Sequence, residues 1–531
     1  MKPLIRTLLL IAGLAASADE AVYRRQLDRI PSLDPITAET ITASRAVMLC
    51  YETLLEYDYA ARPYKLIPCL AEALPEISAD GLVYTFRIRR DRFFHADPAF
   101  GGKPRPLTAQ DLVYSFGRLA DRKNAAPGSW VMQDVAEVTA PDPFTLRIRL
   151  TKPSIQFIWY LAMQYTAAVP KEAVEHYGAD FGSVCVGTGP YRLDHWRRNY
   201  EIVFRRVPEW PGWKNEKGRP FDTIIYYVMD DVSTQWLSFL DGQLDFLGEI
   251  SRDNWDAVIR PDGKLDDVLI KRGIKLHSMP TLETMYIGCN MRDPVVGRNK
   301  KLRQALNCAF DLPKWIRFYN NRVVPLTTPV PEGIDGRLET PFPYSFDLPR
   351  ARALLAEAGY PDGIDPATGK RLTLTIDLGR ANQDMRESTE LLVSFFSEVG
   401  IDLQPRYNTW PAFLKKVSAG QTQLFRVGWS GDYPDPQNFL QLFISANVPP
   451  GPNRAGYVNP EFDRLYEEAV SSADAKVRTE RWHALQRMVQ EDCPWIFTHC
   501  NRAFSLTGPR VGGYIPHDFP FGMEKHLYVL P

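Results

Sequence analysis

The chain has 531 residues, of which 45% are hydrophobic and 24% charged, and its formal net charge is −1. This length exceeds that of one ordinary domain, so two or three domains with a large core are expected. The near-zero charge provides no basic field for nucleic acid or for an acidic membrane surface, so no nucleic-acid partner is expected.

The N-terminus has the pattern of a secretory signal peptide. Lys2 and Arg6 precede an apolar run, Leu8–Ala16, and the small residues Ala16-Ser17-Ala18 provide a cleavage site. The run is too short to span a bilayer. We therefore predict that residues 1–18 are a signal peptide that is removed on export.

Seven cysteines follow the predicted cleavage site. An exported protein can form disulfides, but an odd number leaves at least one cysteine unpaired. The sequence alone does not fix which cysteines would pair. There is no C-x-x-C motif, so the cysteines do not indicate a metal or redox centre.

The first half of the chain alternates between strands and helices. The segments Leu82–Arg89 and Phe144–Leu150 alternate at period two, which is typical of half-exposed strands. Between them, Thr108 and Asp111 form a capping box that predicts a helix running to about Ala120. Further along, a hairpin is predicted in "GTGPYRLDHW" and "YEIVFRRV", a buried strand in "DTIIYYVM", and a helix from about Val232.

The second half predicts a mainly parallel sheet. Asn299 is positioned to cap a helix, and "DLPRARALLAEAG" predicts another. A βαβαβ series follows, which implies parallel strands with helical crossovers. Its elements are a strand Leu372–Leu378, a helix Met385–Val399, a strand Ile401–Tyr407, a helix Trp410–Ala419 and a strand Gln423–Trp429. Two further helices, Pro460–Ser472 and Lys476–Glu491, precede a last strand, "PWIFTH", and an irregular tail.

The segment "GWSGDYPDPQNFL" after the strand Gln423–Trp429 excludes several kinds of site. An exported hydrolase using Ser430 would need glycine at position 432 for the tight turn of a nucleophile elbow, and Asp432 stands there. Asp432 and Asp435 lack the regular acidic spacing of a calcium loop. The eight histidines form no zinc motif. We expect neither an enzyme nor a metal or other cofactor.

The same segment does favour a binding site. Asp432 comes just beyond the C-terminal end of a parallel strand, where open α/β sheets bind ligands. Pro434 and Pro436 fix the backbone after it. Arg426 lies on the same side of an ideal strand, so a cation and an anion could face one zwitterionic ligand. The alternative is that Arg426 and Asp432 only satisfy structural partners.

Six segments in order resemble one protein family, the family-five extracellular solute-binding proteins of bacterial ABC importers. They cover nearly the whole chain after the signal peptide and are specific for the family but much less so for the ligand. The segments are "SLDPITAETITASRAVMLCYETLLEYD", "LTAQDLVYSFGRLAD", "VGTGPYRL", "NKKLRQALNCAFD", "FDLPRARALLAEAGYPDG" and "GWSGDYPDPQNF".

This resemblance implies roles for six residues. Asp432 matches the acid that holds the N-terminal ammonium group of a peptide, and Arg426 matches an arginine that approaches the peptide carboxylate. Trp410 and Trp429 match tryptophans of the pocket wall, and Tyr433 belongs to the same ligand loop as Trp429. Arg380 is a loosely aligned counterpart of the carboxylate-binding arginine of dipeptide binders.

Two departures from the family pattern leave peptide length open. A second arginine of the oligopeptide binders would fall at Val417, with Lys415 and Lys416 nearby. The segment "PGSW" at 127–130 differs from the usual tyrosine-containing segment, which puts that pocket wall in doubt.

The resemblance implies an α/β, two-lobed periplasmic-binding-protein fold of type II. Lobe 1 would be residues 19–284, with an extra subdomain at about 61–184, and residues 500–531 would return to it. Lobe 2 would be residues 285–499.

The implied function is a periplasmic, monomeric peptide-binding component that delivers its ligand to ABC transporter permease subunits. A non-peptide ligand on the same fold, such as a nickel chelate, haem or an oligosaccharide, remains an alternative. An amine-binding role for Asp432 argues against a neutral sugar. A sensory role in place of transport also stays open.

Overall fold

The computed structural model describes residues 20–213, 218–251, 254–260, 263–519 and 522–531. The predicted signal peptide lies outside the described residues.

The strands are β1 (Val22–Leu27), β2 (Leu55–Tyr57), β3 (Leu66–Pro68), β4 (Glu76–Ile77), β5 (Val83–Arg87), β6 (Phe93–Asp97), β7 (Lys103–Pro106), β8 (Val135–Asp142), β9 (Thr145–Leu150), β10 (Tyr191–Arg197), β11 (Glu201–Arg206), β12 (Arg219–Pro220), β13 (Thr223–Val228), β14 (Phe246–Leu247), β15 (Lys275–Pro280), β16 (Glu283–Cys289), β17 (Val323–Pro325), β18 (Ile364–Asp365), β19 (Lys370–Arg371), β20 (Thr373–Leu378), β21 (Asp402–Tyr407), β22 (Leu424–Ser430), β23 (Trp495–Thr507), β24 (Val511–Gly512) and β25 (Tyr528–Val529).

The α-helices are α1 (Ile41–Cys50), α2 (Ala109–Ala120), α3 (Phe157–Tyr160), α4 (Lys171–Tyr177), α5 (Val232–Leu240), α6 (Trp255–Val258), α7 (Asp267–Lys271), α8 (Lys300–Ala309), α9 (Leu312–Phe318), α10 (Leu348–Glu357), α11 (Gln383–Ser397), α12 (Trp410–Ser418), α13 (Pro436–Leu440), α14 (Pro460–Ser471) and α15 (Ala475–Asp492).

One large mixed sheet runs through the molecule in the order β10-β11-β13-β1-β14-β23-β16-β22-β20-β21, and β15 and β17 also pair with β23. The predicted hairpin is confirmed, because β10 and β11 are antiparallel. The predicted βαβαβ series is also confirmed, because β20 is parallel to both β21 and β22. The parallel arrangement brings the C-terminal ends of β20 and β22 to the same edge of the sheet, which is where the candidate site residues follow.

The last strand is longer than the sequence predicted. The tail after "PWIFTH" was expected to be irregular, but β23 continues to Thr507. Its first part pairs with β16 and its last part with β15, so a single strand passes from one half of the sheet to the other. The polar residues Asn501 and Arg502 interrupt the apolar pattern at this crossing, where they line a cleft and are not buried in a core.

The helix caps form where the sequence placed them. Thr108 and Asp111 make the predicted capping box of α2, and the Thr108 backbone N–H donates to Asp111 Oδ2 at 2.8 Å. Asn299 caps α8, since its Oδ1 accepts a hydrogen bond from the Leu302 backbone N–H at 3.0 Å. Each cap satisfies a backbone donor that the first helical turn leaves free.

A small second sheet, in the order β4-β5-β9-β8, packs against α2 and has a core of its own. Phe86, Phe116 and Ile148 are fully buried in this core. The neighbouring 3₁₀ segment Pro127–Met132 depends on Gly128, because a Cβ atom there would lie 2.2 Å from the Tyr165 ring. On the surface of this unit, Trp130 packs edge-to-face against Tyr160, with ring centroids 5.0 Å apart.

All seven cysteines are buried and unpaired. Among the described residues, no helix has both the length and the apolar character that a bilayer crossing requires. The same residues contain no cluster of three or more potential metal ligands.

The crossing strand is anchored by an aromatic stack that can be tested. Trp495, at the start of β23, is buried and stacks on Tyr286 of β16 with ring centroids 3.5 Å apart. Trp495→Ala should lower the free energy of unfolding by about 3–5 kcal/mol, because it leaves a large cavity in a close-packed core. Urea unfolding followed by circular dichroism measures this change.

Leu237→Ala is the matched control, since Leu237 is 60% exposed on α5. It should change the free energy of unfolding by less than about 0.5 kcal/mol. Equal effects of the two substitutions would contradict the anchoring role of Trp495.

Candidate ligand-binding site

The loop after β22 is built to hold one carboxylate in place. Asp435 caps α13 by accepting a hydrogen bond from the Gln437 backbone N–H at 2.8 Å, and Pro436 begins that helix. Gly431 has no room for a side chain, because a Cβ atom would lie 2.8 Å from Cζ of Phe439. Asp432 is therefore fixed between a glycine that packs closely and a capped helix.

A buried amide positions the Asp432 carboxylate. The Asn438 side chain is fully buried and donates from Nδ2 to Asp432 Oδ2 at 3.3 Å. Its Oδ1 accepts from the Asp432 backbone N–H at 3.3 Å and from Trp429 Nε1 at 2.9 Å. One asparagine thus orients both the acid and the tryptophan that the sequence singled out.

Asp432 is exposed and lies on the wall of a recess. Desolvation by the surrounding protein raises the pKa of its carboxyl group above the ordinary value, and the hydrogen bond from Asn438 opposes this effect. In the described part of the chain no basic side chain forms an ion pair with it. Such an uncompensated carboxylate favours a cationic guest.

The recess is a cavity of about 260 Å³ between the loop and the small second sheet's unit. It is lined on one side by Trp130, Asp134 and Tyr160, and on the other by Trp429 and Asp432. Aromatic faces and carboxylates both attract an ammonium group.

Tyr433 joins the two sides of this cavity. Its ring is buried and lies 5.3 Å from the Tyr160 ring, in an edge-to-face arrangement. Its hydroxyl donates to Gln437 Oε1 and lies 3.5 Å from the Tyr160 hydroxyl. Tyr433 therefore borders the cavity while its hydroxyl is engaged by protein groups.

Arg426 does not line the Asp432 cavity. It is buried on β22, donates to Ser388 Oγ at 2.7 Å and Tyr319 Oη at 2.8 Å, and lies over the Trp315 ring at 4.9 Å. Within the described residues it pairs with no carboxylate. Burial and then the Arg426 charge lower the pKa of His499 to about 3, so that imidazole is neutral.

Trp410 and Arg380 form a second exposed patch at the end of β20. Trp410 is 45% exposed and stacks on Phe413, with ring centroids 5.4 Å apart. Arg380 is exposed and makes no hydrogen bond or ion pair with any described residue. Neither residue lines the Asp432 cavity.

Lys415 and Lys416, the lysines near Val417, do not both remain available to a ligand. Val417 is buried. Lys416 forms an ion pair with the buried Asp377 at 3.0 Å, whereas Lys415 is exposed.

A larger cavity of about 760 Å³ lies beside the crossing of β23. Glu283, Tyr319 and Arg502 are among its lining residues. Ser430 Oγ donates to Glu283 Oε1 at 3.1 Å, a contact with a carboxylate and not with the imidazole that a serine nucleophile requires.

One edge of β22 is open next to Asp432. β16 pairs with β22 over its whole length, from Leu424 to Ser430. On the opposite edge, β20 pairs only as far as Arg426. In the described chain, residues 427–430 therefore have a strand neighbour on one side only, and an extended ligand could add to the other side.

Sequence reasoning missed Asn438 and Tyr160, and it left the segment that contains Trp130 in doubt as a pocket wall. Asn438 stands within the segment that drew attention, but a buried asparagine has no periodic signal that separates it from a loop residue. Trp130 and Tyr160 come from elements about 300 residues earlier, and only the folded chain brings them to Asp432.

Comparison with known proteins decides the family. Residues 65–449 match the family described as bacterial extracellular solute-binding proteins, family 5 Middle. The chain belongs to this family. It is a solute-binding protein and not an enzyme, in agreement with the prediction.

Similar proteins cover nearly the whole length of this solute-binding protein. Heme-binding protein A of Haemophilus influenzae is 27% identical over 495 residues, covering 89% of this chain and 85% of that protein. The dipeptide-binding protein of Escherichia coli K12 is 26% identical over 497 residues, covering 88% and 86%. The structure of HbpA2 from Haemophilus parasuis has a TM-score of 0.84 at 25% identity, covering 96% of this chain and 100% of that one. These likenesses confirm the predicted two-lobed α/β fold.

The raised pKa of Asp432 gives a prediction for the ligand-free solute-binding protein. Its carboxyl group binds a proton more tightly in the folded state than in the unfolded chain. Ionisation thus weakens the fold as the pH rises from the ordinary carboxyl pKa through the raised one. Asp432→Asn should therefore show a slightly higher Tm than the wild type at pH 7, and the difference should shrink toward pH 3.5.

Thermal unfolding at the two pH values measures this difference. Asp241→Asn, at an exposed position directly after α5, is the control and should show no such pH-dependent gain. A large loss of stability in Asp432→Asn would mean that the carboxylate has a structural role.

Proposed function

We propose that this protein is the substrate-binding component of an ABC peptide importer. It captures oligo- or dipeptides between two lobes and delivers them to permease subunits in the membrane. The single observation that carries the proposal is the uncompensated Asp432 carboxylate in an aromatic cavity beside an open strand edge.

Each part of this site suits one part of a peptide. The N-terminal ammonium group would pair with Asp432 and lie against Trp429 through a charge-assisted hydrogen bond and a cation–π contact. The peptide backbone would add to the open edge of β22 at residues 427–430. Tyr433 would hold the loop against the first half of the chain.

The other proposed site residues would contact the remainder of the peptide. Trp410 and Arg380 form an accessible patch at the end of β20, at the same edge of the sheet. Arg426 lies behind Ser388 and Tyr319, so it would act on a carboxylate through those hydroxyl groups or after they move.

The proposed lobes are residues 19–284 with 500–531, and residues 285–499, with the subdomain at about 61–184 in lobe 1. Two adjacent chain segments link them, at 281–282 between β15 and β16 and at 501–502 in β23. We propose that closure on a peptide takes place at these segments. The mature chain would begin after residue 18 and act as a periplasmic monomer.

The similarity to a dipeptide-binding protein supports a peptide ligand, and the similarity to a heme-binding protein supplies the second candidate. The two ligands differ in that a peptide carries an N-terminal ammonium group and haem does not. Haem binding would therefore not depend on Asp432 as a counter-charge. Absorbance titration with haemin provides the parallel measurement.

Peptide binding should depend on Asp432. Asp432→Asn should weaken binding of an unblocked peptide by about 2–5 kcal/mol, which corresponds to at least about 30-fold in Kd, because a desolvated ammonium group would lose its partner. Isothermal titration calorimetry of the full mature chain with a tripeptide pool measures this loss.

N-acetylated peptides are the matched control. Acetylation should weaken peptide binding to the wild type by a similar free energy. It should weaken binding to Asp432→Asn only slightly, because the acetyl group and the substitution remove the same interaction. Equal binding of free and acetylated peptides to the wild type would contradict the assignment of Asp432. Binding of haemin with no binding of any peptide would favour the second candidate.

A further inference from the structure

A third cavity, of about 370 Å³, lies between the first half of the chain and the ligand loop. Ser430 and Gly431 form part of its wall, so it begins one residue before Asp432. On the far side its wall includes Arg25 of β1 and Arg45 of α1. Neither arginine belongs to the set that the sequence indicated.

One of the two arginines, Arg25, lies beside a buried carboxylate. Arg25 Nη1 lies 3.7 Å from Glu524 Oε1, and the same oxygen accepts a hydrogen bond from the Tyr226 hydroxyl at 2.6 Å. Arg25 is buried and its guanidinium group lies over the Phe246 ring at 4.0 Å. Its Nε is buried without a hydrogen-bond partner.

Arg45 is left without a counter-ion. It makes no hydrogen bond or ion pair with any described residue, and its Nε is also buried without a partner. Burial, and after it the charge of Arg25, lowers the pKa of Arg45 to about 10. The guanidinium group is still protonated at neutral pH, so Arg45 brings to the cavity wall a positive charge that no carboxylate of the described residues pairs with.

The cavity wall also carries two carboxylates, and each accepts hydrogen bonds from neutral groups of the protein. Glu283 accepts hydrogen bonds from Ser430 Oγ at 3.1 Å and from Asn501 Nδ2 at 2.6 Å. Asp518 accepts from the Tyr64 hydroxyl at 2.6 Å and from the Leu282 backbone N–H at 2.9 Å. Neither carboxylate pairs with Arg25 or Arg45.

We propose that Arg25 and Arg45 form a carboxylate-binding subsite, so that the preferred ligand is an acidic peptide. Arg25 and Arg45 lie on one cavity wall and only Arg25 has a carboxylate partner, so the guanidinium group of Arg45 has the capacity to hold a ligand carboxylate through charge-assisted hydrogen bonds. Apolar wall residues such as Phe246 and Met279 would contact the carbon atoms that carry it. This inference rests on the proposed peptide-binding function and narrows its substrate class.

The spacing is compatible with one short peptide occupying both places. Gly431 borders this cavity and Asp432 borders the ammonium cavity, and adjacent Cα atoms are about 3.8 Å apart. A residue of an extended peptide spans about 3.3–3.6 Å, so a second or third residue that turns toward Gly431, and does not follow the open edge of β22, would bring its carboxylate to this cavity. The carboxylate could belong to a side chain or to the C-terminus.

Defined tripeptides separate these two sources. The wild type is titrated calorimetrically with Ala-Glu-Ala, Ala-Gln-Ala and the C-terminal amide of Ala-Gln-Ala. At least about tenfold tighter binding of the glutamate peptide than of the glutamine peptide identifies a side-chain carboxylate. Binding of Ala-Gln-Ala that is tighter than binding of its C-terminal amide by a similar factor identifies the C-terminal carboxylate.

Arg45→Gln should abolish whichever preference the wild type shows, and Arg45→Lys should restore part of it. Arg29→Gln is the matched control, because Arg29 is an exposed arginine of the same half of the chain, paired only with Asp230 at the surface. It should leave both ratios unchanged. The ligand-free Tm of Arg45→Gln should equal or exceed that of the wild type, since the substitution removes a cation beside Arg25.

The outcomes distinguish the two proposals. If tripeptides bind but Arg45→Gln leaves both ratios unchanged, the subsite is wrong while the peptide-binding function stands. If the wild type binds none of the three peptides, the proposed function fails and the subsite fails with it.

Discussion

The hydrogen-bond ladder of β23 is the constraint on which the rest of the structure depends. This one strand pairs with β16 and β17 at its beginning and with β14 and β15 at its end. Its backbone groups must stay paired on both sides of the cleft, because unpaired buried amides are costly. If the two halves move relative to each other as proposed, the few residues around Asn501, where polar side chains reach the strand, are where β23 could bend.

The ligand loop follows from the same arrangement. β16 pairs with both β23 and β22, so the strand that carries the site is one step away from the crossing. Glu283 of β16 links the two, since it accepts hydrogen bonds from Ser430 on one strand and from Asn501 on the other. A ligand that displaces or reorients Ser430 would therefore act directly on the crossing, without a long chain of intermediate contacts.

Sequence reasoning succeeded where the signal is local. The Thr108–Asp111 capping box and the Asn299 cap are patterns of three or four residues. The strands β20 and β22 have clear apolar patterns, and β21 follows from its place between two predicted helices. Sequence reasoning failed where one strand passes from a buried core to the wall of a cleft. β23 looked short because its middle residues line a cleft, so its apolar pattern stops before the strand does.

The site was predictable only in part, for the same reason. Asp432 and Trp429 lie in one unusual segment, and the family resemblance marked them. Asn438 positions both residues, but nothing in its neighbourhood distinguishes it from an ordinary amide. Trp130, Arg25 and Arg45 reach the ligand loop through packing between distant parts of the chain, which a single sequence does not encode in any local spacing.

The buried cysteines have a consequence for how the chain reaches this state. Burial raises the pKa of thiols such as Cys289 and Cys500 to about 12, so in the folded protein they are protonated and shielded from oxidants. In the unfolded chain the same thiols are accessible and closer to their ordinary acidity. If the chain folds in the oxidising environment that an extracellular family implies, formation of non-native disulfides would therefore compete with burial of these thiols.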